Sequence, residues 1–167
     1  MFMKKNKILF LLKSLLLTLC FFAAAGVLWA QPTAKEIETL LETRAVTYAQ
    51  ASRFVLEAAD VKSTENPETA FTYAVEHGWL PKNVASGDEA RLDIISLLLM
   101  RAFKTGGGIM YTLTGKPRFA YRELVYLNVI QGRYDPAMLV PGERLLFYVT
   151  RMLARQDHVN THNGEQE

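Results

Sequence analysis

Residues 68–103 read ETAFTYAVEHGWLPKNVASGDEARLDIISLLLMRAF, and residues 118–153 read RFAYRELVYLNVIQGRYDPAMLVPGERLLFYVTRML. The two stretches follow one plan. Each opens on a helix rich in alanine and aromatics and passes a turn (HGWL, then LNVI) and a loop. Each then closes on a long apolar helix whose start combines acid and arginine (DEAR, then GERL). A helix–loop–helix unit of this size cannot bury its apolar face alone, so the copies are expected to pack on one another. Residues 44–60 match the second helix of such a unit, which makes two and a half units in the chain.

The punctuation around these stretches predicts helices throughout. Thr33 with Glu36, and Thr47 with Gln50, have the spacing of capping boxes, each ahead of an apolar stripe. Asn66 and Pro67 suit the cap and first turn of the helix that ends at Gly78, and His77 can cap its last carbonyls. Trp79 is expected to fold back, largely buried, over that helix end. Ser86 with Glu89 gives a third box, so the most apolar helix is placed from residue 86 or 88 to 103. Between the two repeats lies TGGGIMYTLTGKP, residues 105–117, where three glycines are unfavourable inside a helix. Residues 109–113 are read as a strand turning at Thr114-Gly115 toward 118–120, a short β-hairpin lying against the helices. The last helix is expected over residues 142–155, followed by a flexible polar tail over 156–167. The fold class is therefore mainly α: repeated helix–loop–helix units packed as a small bundle, with an inserted hairpin.

The first thirty residues differ in kind from the rest. They carry four lysines and no acid, then an apolar run over residues 14–30, the layout of a secretory signal peptide cut after Ala30. The run also approaches the length of a retained membrane anchor. Leu19 stands where a lipidated Cys20 needs a small residue, so Cys20 is read as one more apolar side chain. Export to the periplasm or outer envelope follows from either the cleaved or the retained form. From Gln31 onward the chain has no cysteine and holds 15 Lys and Arg against 17 Asp and Glu. Disulfides, thiolate catalysis and cysteine-based metal centres are thereby excluded from this part, and a net charge of −2 disfavours nucleic acid.

Little in this part speaks for catalysis. No nucleophile motif or complete phosphate loop occurs; Lys116 lacks the Ser or Thr that would follow it. His158 and His162 are spaced as helix neighbours with no third ligand in view, so no metal and no cofactor are assigned. Asp88, Glu89, Asp93, Glu123 and Glu143 read as helix-terminal acids, with an acid–base hydrolase as a remote alternative. The candidate recognition surface is Arg118, Tyr121, Arg122, Tyr126, Arg133, Tyr134, Arg144 and Tyr148, since guanidinium forks and flat rings suit glycan or protein surfaces. The same tyrosines can instead complete a small core that the arginines solvate.

The layout resembles the S-layer homology module, in which a helix and turn lead through a loop into a second helix opening on a Thr-Arg-Ala-Glu type motif. Thr47-Tyr48-Ala49-Gln50-Ala51 stands at the motif's place, with Tyr48 for the arginine and Gln50 for the acid. Glu89-Ala90-Arg91 and Glu143-Arg144 permute its residues, and Tyr134-Asp135-Pro136 resembles the aromatic-x-Pro of its loop. The run GGGIMYTLTGKPRFAYREL, residues 106–124, also looks like a feature of exported spirochaetal proteins that carry such units. The resemblance covers residues 47–153 and implies a helical domain, residues 31–155, that binds wall polysaccharide or peptidoglycan. The alternative partner is another exported envelope protein, with membrane contact only through an uncleaved leader.

Overall fold

A computed structural model describes residues 34–164, with side chains up to His158. The expected signal peptide, Cys20 and the Thr33 cap lie outside these residues, as does the side chain of His162. Among the described residues the chain forms seven helices: α1 (Ala34–Glu42), α2 (Tyr48–Ala58), α3 (Pro67–Glu76), α4 (Leu92–Ala102), α5 (Ile109–Thr114), α6 (Pro117–Tyr126) and α7 (Gly142–Gly164). The last helix runs on through the polar segment after Arg155. No helix among them is long and apolar enough to cross a membrane.

The described residues contain no strand, only two isolated antiparallel bridges, Thr47 with Glu89 and Arg91 with Leu139. The β-hairpin expected over residues 109–120 is therefore incorrect; its first arm is helix α5 and its second belongs to α6. The glycines lie outside the helix and bound it: Gly108 is the extended cap residue, and Gly115 at φ +57° is the left-handed stop. Inside it, the Thr112 and Thr114 hydroxyls donate to the carbonyls of Gly108 and Met110, which ties the β-favouring threonines to a helical backbone. Tyr111 is buried and anchors the turn. The other arm cannot pair because Pro117, with its fixed φ, already starts α6.

Four helices end on one device. Asp60, Gly78, Lys104 and Asn128 all take left-handed φ values, between +50° and +69°. The residue after each sends its N–H back to the carbonyl five positions earlier: Val61 to Leu56, Trp79 to Ala74, Thr105 to Met100 and Val129 to Leu124, at 2.8–3.0 Å. These are Schellman stops, and they turn the chain inward so that Leu80, Val129 and Ile130 become fully buried. His77 caps as its place suggests, with Nδ1 2.8 Å from the Tyr73 carbonyl and its ring stacked on Tyr73. Trp79 meets Tyr73 edge-on and is only half-buried; the next residue, Leu80, enters the core in its place.

The second helices α2, α4 and α7 start from one junction. Val46 N–H donates to Val140 O (2.9 Å), Val140 N–H to Ala90 O (3.0 Å), and Ala90 N–H to Val46 O (2.7 Å). Three backbone segments thus hydrogen-bond head to tail in a closed ring about an approximate threefold axis, with all three side chains at most 1% exposed. The rule extends outward: Tyr48 N–H reaches Asp88 O and Ala49 N–H reaches Ser86 O, as Leu92 N–H reaches Met138 O and Asp93 N–H reaches Pro136 O. This pairing consumes the backbone of residues 86–91. Helix α4 therefore begins at Leu92, not near Ser86, and no Ser86–Glu89 capping box forms. Aligned on the ring, DEAR precedes its helix whereas GERL is the first turn of α7, so these two sequences are not structural equivalents. The Thr47–Gln50 box does form, with both of its hydrogen bonds.

Packing closes the same circle. Helix α3 lies on α2, α6 on α4 and α1 on α7, so each first helix packs on the second helix of the preceding unit. Helix α1 thereby completes the first unit, making three units where the repeat in the sequence shows two and a half. Within α2 and α4, Ser52 and Ser96 occupy equivalent, fully buried positions. Each hydroxyl is satisfied by the carbonyl four residues back, at 2.7 and 2.6 Å.

Candidate functional site

The threefold frame gives each unit the same potential groove, between its second helix and the chain leading into it. What fills it is decided at three positions of the second helix. In the second unit these are Ile94, Leu97 and Leu98, all buried, so none of the three is offered to solvent. In the first unit they are Gln50, Arg53 and Phe54, which line a cleft of about 250 Å³ beside α1. Arg53 is 5% exposed; it donates to the Thr64 carbonyl (3.0 Å) and to Glu36 (3.1 Å), so its guanidinium is committed to holding α1 and the loop after α2. In the third unit the positions hold Arg144, Phe147 and Tyr148, and the cleft is larger than that of the first unit, about 540 Å³.

The walls of this third cleft come from two elements. Gln131 and Tyr134 stand on the loop after α6, and Glu143, Arg144, Phe147 and Tyr148 on the first two turns of α7. The loop is pinned from behind: the Tyr121 hydroxyl donates to the Tyr134 carbonyl (2.8 Å) and accepts from the Tyr134 N–H (3.3 Å). The Arg144 guanidinium lies over the Tyr134 ring at 4.2 Å, and its Nη1 reaches Met138 Sδ at 3.6 Å. Burial pushes the Tyr148 phenol above its ordinary range, opposed by the neighbouring Arg144 charge. The cleft therefore offers the Tyr134 ring with its stacked guanidinium, a carboxylate and an amide beside a partly exposed phenyl ring, with the buried Tyr148 behind them.

Of the eight residues proposed from the sequence, Tyr134, Arg144 and Tyr148 line this cleft and Tyr121 braces it. Arg118, Arg122 and Tyr126 are exposed along α6, Tyr126 at 81%, and Arg133 is exposed on the loop; none of these four lines the cleft. Gln131, Glu143 and Phe147 were not in that set. The threefold register finds Phe147, because it makes Phe147 the equivalent of Arg53 and Leu97; Gln131 and Glu143 are found only from the cleft itself.

The acids do not converge. Glu89 is exposed beside its bridge to Thr47; Asp93 pairs with Arg91 (3.0 Å) and accepts from the Ile94 N–H. Asp88 precedes α4 and accepts from the Ala85 N–H, so neither it nor Glu89 occupies the helix turn expected for it. Glu123 lies against Gly107 and Gly108, and Glu143 sits at the cleft. Among the described residues, no three His, Cys, Asp or Glu side chains are grouped to hold a metal ion. No family model matches the chain, and no curated protein or solved structure matches it.

Proposed function

We propose that the chain is a non-catalytic domain of the cell envelope that binds wall glycan in the cleft of its third unit. The observation that carries this is the composition of that cleft, where Arg144 packs on Tyr134 beside Glu143, Gln131 and the 47%-exposed Phe147. A sugar ring has an apolar face for a phenyl or phenol ring and hydroxyls for guanidinium, amide and carboxylate groups. Export follows from the leader-like first thirty residues, and the wall as target follows from the resemblance to S-layer homology modules. A protein partner is the second reading, favoured by the half-exposed Phe147 ring, which can anchor an apolar side chain equally well.

Purified peptidoglycan sacculi separate the two. Residues 32–167 form one compact unit and can be used without the leader. They are expected to sediment with sacculi, and Phe147→Ala or Arg144→Ala is expected to weaken retention roughly tenfold. A wild-type domain that stays in the supernatant refutes the glycan reading.

A further inference from the structure

We propose that helix α5 is a docking tip for an anionic lipid bilayer surface, separate from the cleft. Ile109, Met110 and Leu113 are 77%, 59% and 76% exposed, and their spacing puts them on one side of a single turn and a half of helix. A monomeric domain rarely presents three neighbouring apolar side chains this fully to water. The helix is too short to persist alone and is held from the opposite side. Tyr111 is buried there, with the Arg101 guanidinium 5.9 Å from its ring centre. The preceding glycines let the backbone approach closely. A Cβ on Gly107 would lie 2.5 Å from the Tyr111 ring, and one on Gly108 would lie 2.8 Å from a Glu123 oxygen. The apolar side is thus presented by a fixed mount.

Charge identifies the occupant. From Asp93 to Glu123 the chain contains no acid between those two residues but five cations, Arg101, Lys104, Lys116, Arg118 and Arg122. Lys104, Lys116, Arg118 and Arg122 are exposed, two of them within three residues of α5's left-handed end at Gly115. Glu123, the acid that closes this stretch, is half-buried against Gly107 and Gly108 at the start of α5. The rest of the chain from Gln31 onward carries 10 cations against 17 acids, so the surplus of positive charge is confined to this region. A second copy docking tip to tip would oppose like charges, whereas an anionic bilayer offers hydrocarbon for the three apolar side chains and headgroups for the surrounding cations. With so small an apolar area, binding is reversible and weakened by salt.

The test is co-sedimentation of residues 32–167 with mixed phosphatidylcholine–phosphatidylglycerol vesicles and with phosphatidylcholine vesicles alone. Wild type is expected to pellet with the anionic vesicles only, and less at high salt. Ile109→Glu with Leu113→Glu is expected to reduce pelleting by roughly tenfold or more, and Lys116→Glu with Arg118→Glu by severalfold. Thermal melts of both variants should match wild type because the replaced side chains are exposed, and both should still sediment with sacculi, which keeps this proposal separable from glycan binding. Wild type left in the supernatant with both lipids, or variants that pellet like wild type, overturns it. So does a dimer that the Ile109→Glu and Leu113→Glu pair splits without any vesicle binding.

Discussion

Replacing Gly142 by alanine introduces a methyl group at the one point of the threefold junction with no room for it. The equivalent first residues of the other two helices are Tyr48 and Leu92, both carrying full side chains into the core. At Gly142 the C-terminal backbone of α1 comes in instead: an added Cβ would lie 1.7 Å from the Leu40 carbonyl oxygen and 2.7 Å from its carbon. Both are backbone atoms, so no rotamer change relieves the clash, and α1 must retreat by more than an ångström. That retreat disturbs Leu40, the only buried residue of α1, and the 2.9 Å hydrogen bond from Gly142 N–H to Thr43 O. Losing much of one leucine's burial, about 1.5–3 kcal/mol, and one backbone hydrogen bond, about 1 kcal/mol, outweighs the gain of at most about 1 kcal/mol from replacing glycine in a helix. The net expectation is a loss of about 1.5–3 kcal/mol, hence a Tm lower by roughly 5–12 °C for a domain of this size. Circular-dichroism melts and urea titrations of residues 32–167 read it directly. Gly87→Ala serves as control, since nothing lies within 4 Å of a Cβ there, and it should change stability by about 0.5 kcal/mol at most. A Gly142→Ala protein that melts at or above wild type refutes the close approach of α1 to α7.

Three further substitutions read the interior. Burial raises the Glu57 carboxyl above its usual 4.5, with Arg53 pulling it down and Glu36 pushing it up, and one of its oxygens is buried without a hydrogen bond. The folded state therefore holds the proton more tightly than the unfolded chain. Ionisation costs no stability below the unfolded value, and the cost grows as pH rises through it to the folded value and is complete above that. Glu57→Gln is accordingly expected to raise the urea midpoint near neutral pH and to have little effect near about pH 4; equal shifts at both would contradict this account. Leu80→Ala should cost about 2–5 kcal/mol in equilibrium unfolding, and Trp79→Ala clearly less, because Leu80 is 2% exposed and Trp79 only half-buried. The opposite ranking would place the tryptophan, not the leucine, in the core.

How far the architecture was legible depends on whether its signal was local. The Thr47–Gln50 box, the Asn66-Pro67 start and the Gly78 stop are decided within a few residues, and the structure contains all three. The stops at Asp60, Lys104 and Asn128 escape notice because residues with a Cβ pay about 1–2 kcal/mol for the left-handed conformation. What compensates them is the hydrogen bond from the following residue and, after Asp60 and Asn128, the apolar side chains turned against the core, neither visible in composition. Residues 105–117 fail differently. Three glycines and β-favouring threonines argue against a helix when weighed as an interior, but here the glycines bound the helix and mount it closely on α6.

The junction itself is the least legible element, and the cleft inherits that. Val46, Ala90 and Val140 are three small apolar residues with no motif around them; what they share is a ring of backbone hydrogen bonds, which any side chain of suitable size permits. That ring, not the acidic and arginine residues of DEAR and GERL, sets the register of the units. Once the register is known, Arg53, Leu97 and Phe147 become one position in three settings. The first is an arginine tied to Glu36 and Thr64, the second a leucine sealed in the core, and the third a phenyl ring left 47% exposed beside Arg144. A fold that needs only small residues at its axis leaves these positions free to diverge. Two of them can then be buried or committed to holding the domain together while the third stays open to solvent, and the tyrosine–arginine cluster marks the third unit's cleft from the sequence side. Tyr121 is buried behind the cleft, Tyr148 is buried and also lines it, and Tyr134 and Arg144 form its wall, so the structural-core reading of the set describes the two buried tyrosines among the four residues gathered there.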